Sequence, residues 1–69
     1  MLVFDYGMLR ACRRAIQLKQ SDVAQVLHCT AATISNIENG KVQLKADDLA
    51  CLAELYQQNV NDFYVERLE

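Results

Sequence analysis

The tightest constraint in this sequence is a pair of short helical segments with almost no chain between them. Val23, Val26 and Leu27 place one apolar stripe on a helix over about 20–27, and Ile34 and Ile37 place another on a helix over about 31–38. Only His28, Cys29 and Thr30 join the two. Over so short a link, the second helix has to cross the first steeply. The backbones then approach closely near the middle of the first helix, where Ala24 offers a small side chain. Thr30 is placed to cap the second helix, and Gly40 to end it in a left-handed conformation.

The same helical spacing runs through the rest of the chain. Leu9, Cys12 and Ile16 predict a helix over 6–17 with Asp5 as its cap. Leu49, Leu52, Ala53 and Tyr56 predict another over 46–57, whose first turn carries Asp47 and Asp48 where they favour the helix dipole. Asn59 is read as the cap of a last helix holding Val60, Phe63 and Tyr64, with Leu68 near its end. No stretch alternates with period two over a useful length. The expected fold is all-α, five short helices in one domain over 1–69.

A chain of 69 residues buries only about 60% of its unfolded surface, so something must supplement its core. The cysteines, Cys12, Cys29 and Cys51, are odd in number and form no C-x-x-C pair. They read as buried reduced thiols, with neither a disulfide framework nor a metal site expected. A partner subunit is the expected supplement. No run approaches the roughly 18 apolar residues of a membrane span. The first residues lack the basic and apolar regions of a signal peptide, so the cytoplasm is the expected compartment.

The formal net charge of −2 hides a polarity. Residues 10–45 carry Arg10, Arg13, Arg14, Lys19, Lys41 and Lys45 against Asp22 and Glu38, a net of +4. Residues 46–69 carry six carboxylates against Arg67, a net of −5. Such a split presents one part of the chain to a polyanion and keeps the other away from it.

On the helix over 31–38, Ala32, Ser35, Asn36 and Asn39 fall opposite Ile34 and Ile37. A solvated face would carry Lys and Glu, because Ser and Asn are poor helix formers in a helix interior. Small, uncharged polar side chains fit a face that approaches something closely. Base edges in a major groove meet that description: Asn pairs with adenine, Ser bonds to several bases and Ala packs on the thymine methyl.

The run Leu18-Lys19-Gln20-Ser21-Asp22-Val23-Ala24, followed by Thr30-Ala31-Ala32-Thr33-Ile34-Ser35-Asn36-Ile37-Glu38-Asn39-Gly40-Lys41, resembles the Cro/repressor-like (xenobiotic-response-element type) helix-turn-helix family. The likeness covers residues 9–64. It implies a lambda-repressor-like domain and a sequence-specific, double-stranded DNA-binding regulator. By the same resemblance, Ala31, Ala32, Ser35 and Asn36 would face base edges. Gln20, Asn39, Lys41 and Lys45 would meet phosphates, and Arg13 and Glu38 would form a partly buried salt bridge. The family implies a homodimer on an inverted-repeat operator, with recognition helices about 34 Å apart. The apolar C-terminal segment is the candidate interface, with Tyr64, Val65 and Leu68 its foremost residues.

The sequence also departs from the family. Lys19 stands where relatives place a capping Ser, Thr or Asn. His28 replaces the usual glycine of the turn, and Leu44 a frequent proline. Ala31 and Ala32 replace side chains that donate to bases, which shifts readout toward Ser35, Asn36, methyl contacts and DNA shape. An alternative stays open: a helix-turn-helix module acting mainly through a protein partner, as an antitoxin or antirepressor does. No enzyme is expected, since no carboxylate pair, phosphate loop or triad accompanies the lone His28. Neither a cofactor nor a small-molecule ligand is indicated.

Overall fold

The computed structural model describes residues 1–68. In chain order its elements are β1 (Leu2–Phe4), α1 (Tyr6–Ala15), α2 (Gln20–Leu27), α3 (Ala31–Glu38), α4 (Ala46–Leu55), a 3-10 turn (Val60–Phe63) and β2 (Tyr64–Glu66). Helices α1 and α3 begin where a side chain satisfies an orphan backbone donor. Asp5 accepts from the Gly7 N–H at 3.1 Å, and the Thr30 hydroxyl accepts from the Thr33 N–H at 3.2 Å. Lys19 has no acceptor to offer α2. Instead the Asp22 carboxylate reaches back to the Lys19 N–H at 2.8 Å, which ties down the start of that helix.

Three helices end on residues with positive φ that are not glycine: Gln17, His28 and Gln57, at 60°, 58° and 56°. His28 holds the left-handed conformation in the three-residue link between α2 and α3. Gly40, at φ 72°, ends the segment after α3, and a Cβ there would lie 3.3 Å from the Tyr6 ring. At this position the backbone and the neighbour both call for glycine.

Ten side chains form the core: Leu9 of α1, Val23 and Ala24 of α2, Ile34 and Ile37 of α3, Leu49, Leu52 and Ala53 of α4, then Tyr56 and Phe63. Ala24 is buried in α2, the helix packed against α3, and its small methyl suits the close crossing that the three-residue link imposes. No described helix is long and apolar enough to cross a membrane.

Two expectations are corrected. Among the described residues there are four α-helices, because the segment after Asn59 forms a four-residue 3-10 turn and then a strand. β2 pairs antiparallel with β1, with Val3 opposite Val65 and Phe4 opposite Tyr64. The Asp5 N–H donates to the Phe63 carbonyl at 2.7 Å, locking the ribbon to α1 while the Phe63 side chain is completely buried in the core. The pairing satisfies backbone groups that one isolated turn of helix would leave open. The cysteines, expected to be buried, are instead half-buried, with Cys12 and Cys29 packed at the margin of the core rather than within it. Burial still pushes the Cys12 and Cys29 thiols above their ordinary value, with Asp62 and Asp48 respectively adding to the effect.

Candidate nucleic-acid interface

Helix α3 is clamped from behind. Ile34 and Ile37 are buried against α1 and α2, whereas Ala32, Asn36 and Asn39 are exposed and Ala31 and Ser35 half-buried. The stripe of small and polar residues therefore lies on the open side of the helix. Among the described residues, neither Ser35 nor Asn36 makes a side-chain hydrogen bond within the chain, so both keep their full capacity for a partner. Lys41 and Lys45 follow on the exposed segment leading to α4. The Lys41 N–H donates to the Asn36 carbonyl at 2.9 Å and the Gly40 N–H to Ile37, so the turn closes directly beneath the exposed end of α3.

What holds α3 in place is a charged cluster around Glu38. Arg13 donates Nε to Oε2 at 2.7 Å and Nη2 to Oε1 at 3.1 Å, and its Nη1 reaches the Leu18 carbonyl at 2.9 Å. Arg13 is 7% exposed and Glu38 5%, so the pair lies inside the protein. Every buried donor of the guanidinium thereby finds an acceptor on α3 or on the loop before α2. Burial alone pushes the Glu38 carboxyl up. Hydrogen bonds from Arg13 and Gln20, with the charges of Arg13 and Arg10, outweigh that effect and hold it below the ordinary carboxylate value. The same contact raises Arg13 further. Tyr56, buried nearby, has its phenol pushed up to about 12, by burial first and then by the Glu38 charge.

Gln20 takes a different position from a freely exposed phosphate brace. It is half-buried, and its Nε2 donates to Glu38 Oε1 at 3.2 Å. One amide hydrogen of Nε2 is thereby engaged. The second, with the first backbone N–H groups of α2, is left for an outside acceptor.

Arg10 is the residue that sequence reasoning passed over. Its Nη2 donates to Asn39 Oδ1 at 2.6 Å, and its Nε lies 3.6 Å from Glu38 Oε1. Arg10 precedes Arg13 by one helical turn, so the two guanidiniums reach the end of α3 side by side. That spacing was the available signal.

The residues picked out at the C-terminus lie on the two-stranded ribbon and just after it. Tyr64 and Val65 belong to β2 rather than to a helix, and Leu68 follows it. Tyr64, Val65 and Leu68 are 39%, 37% and 89% exposed, and Val60 and Leu2 add further apolar surface. Tyr64 is partly engaged within the chain, its ring edge-on to Phe4 at 5.3 Å.

A sequence profile described as a helix-turn-helix domain matches residues 7–62. No curated protein matches the sequence. Among solved structures, the chain is similar to the P22 c2 repressor protein, crystallised in complex with synthetic operator 9T in the presence of Tl+. The TM-score is 0.76 at 17% identity, over 84% of this chain and 88% of that one. At that identity the likeness is one of fold.

Proposed function

The chain belongs to the Cro/repressor-like helix-turn-helix family, and we propose that it is a transcriptional regulator that binds double-stranded DNA with α3 in the major groove. The observation that carries this reading is the open face of α3. It offers small side chains and unengaged Ser35 and Asn36 groups on a helix whose other side is fixed by core packing and the Arg13–Glu38 pair. The similar P22 c2 repressor was crystallised on an operator, which supports the same use of this fold.

In this reading Asn36 and Ser35 bond to base edges, while Ala31 and Ala32 pack on thymine methyls. Asn39, Lys41, Lys45 and the start of α2 at Gln20 meet phosphates. The acidic C-terminal part faces away from the duplex. One domain spans the chain, and two copies associate through the exposed residues Tyr64, Val65 and Leu68 to read an inverted repeat. The role is one of binding, without catalysis. A second reading has its own observation in favour: that apolar surface at the ribbon also suits a different protein, as in an antitoxin or antirepressor-like module.

The deciding experiment is an anisotropy titration against DNA flanking the chain's own gene, with random DNA as reference, at two salt concentrations. A regulator binds tightly, prefers an inverted repeat and weakens steeply as salt rises. Weak binding without preference would sink this reading and favour the protein-partner one.

A further inference from the structure

We infer that Arg10 is a positioning residue of the proposed DNA interface, fixing the Asn39 side-chain amide so that its Nδ2 end is the one offered to a backbone phosphate. This rests on the DNA-binding reading of α3 and names a residue and a polarity that the reading did not contain.

An asparagine amide carries an acceptor oxygen and a donor nitrogen that occupy nearly the same space. On an exposed helix end it can present either one, and a phosphate accepts only from the nitrogen. The 2.6 Å bond from Arg10 Nη2 is charge-assisted and turns Oδ1 toward the guanidinium. What remains for a partner is the donor end.

Arg10 is itself held from behind. Its Nε lies 3.6 Å from Glu38 Oε1, and that carboxylate is fixed in the interior by Arg13 and Gln20. A buried carboxylate thus sets the guanidinium, and the guanidinium sets the amide. Only a planar fork serves both ends at once, because a lysine ammonium is a single point on a flexible stem. Arg10 keeps 37% of its side chain exposed, which leaves its charge facing the same approach as Asn39. Two guanidiniums around one carboxylate leave a net positive charge where the phosphate would sit.

The test is a double-mutant cycle of Arg10→Lys and Asn39→Ala, read by anisotropy on one mixed-sequence duplex of about 20 base pairs at low salt. Phosphate contacts are sequence-independent, so no operator is needed. Arg10→Lys retains the charge and is expected to leave the salt slope unchanged while weakening binding about ten-fold, the loss of one charge-assisted contact. Asn39→Ala is expected to weaken binding about as much, and the double variant no more than Asn39→Ala alone. In the free protein, the Asn39 side-chain amide resonances should shift on Arg10→Lys. Multiplying losses in the double variant, wild-type binding by Arg10→Lys, or unmoved Asn39 resonances would each overturn the positioning role. Failure of the unmodified chain to bind any duplex would overturn the DNA reading instead, and the Asn39 resonances keep the two failures apart.

Discussion

The Arg13 guanidinium grips both carboxylate oxygens of Glu38, at 2.7 and 3.1 Å, and so ties α1 to the last turn of α3 inside the protein. Removing one partner of such a buried pair strands the other without a counter-charge. Arg13→Met should therefore destabilise the fold by about 3 kcal/mol, measured by urea unfolding. Adding Glu38→Leu should restore much of the loss, since the stranded charge goes with it. A double variant as unstable as the sum of its singles would mean that packing, not charge, sets the cost.

The same carboxylate makes stability depend on pH. Glu38 is held below its ordinary value of 4.5 in the folded chain, so the folded state binds fewer protons there than the unfolded state. Its contribution is complete above the unfolded value and disappears as pH falls through the lower folded one. Wild-type stability should therefore fall more steeply than that of Glu38→Gln as the pH drops below about 4.5. Parallel curves for the two would place the acid sensitivity elsewhere.

Left-handed helix ends give a prediction of opposite sign. His28 carries a Cβ at φ 58° and is exposed in the turn between α2 and α3. His28→Gly should relieve that strain and raise stability by about 1 kcal/mol, part of the gain being offset by glycine's greater freedom when unfolded. Gly40→Ala should do the reverse, because φ 72° and the Tyr6 ring at 3.3 Å both oppose a methyl. Thermal melts of the two variants should move in opposite directions.

Much of this could be read before the fold was seen, for reasons that differ between segments. Helices α2 and α3 are legible because Thr30, Gly40 and the apolar spacings are local signals, and Ala24 marks the crossing. The C-terminal segment misleads for a physical reason. Val60, Phe63 and Tyr64 fall at helical spacing, but Val60–Phe63 form a 3-10 turn that drops Phe63 into the core, and Tyr64 then joins a strand whose partner lies at the other end of the chain. A pairing of three residues with three is too short to show alternation in the sequence. The bonds of Arg10 to Asn39 and of Gln20 to Glu38 escaped for a related reason, since they arise only where α1, α2 and the end of α3 converge. The capping of α2 by Asp22 was equally hidden behind Lys19, which looks like a defect when read alone.

The open stripe of α3 and the segment after it should separate when mutated. Asn36 is exposed, free of intrachain side-chain bonds among the described residues, and on the same side as Ser35, so its amide is free to pair with a base edge. In the proposed complex Lys41, just past Gly40, is the residue whose ammonium would meet a phosphate whatever the sequence. Asn36→Ala should cost about 1–3 kcal/mol on the cognate site and little on random DNA, which relaxes specificity. Lys41→Ala should weaken binding to both and lower the salt slope by about one. The comparison rests on the difference between the two variants, so a general loss of affinity cannot mimic it. Equal losses by Asn36→Ala on cognate and random duplexes would move Asn36 from the bases to the backbone. Base readout would then fall to Ser35 and the methyls of Ala31 and Ala32, with DNA shape supplying the remainder.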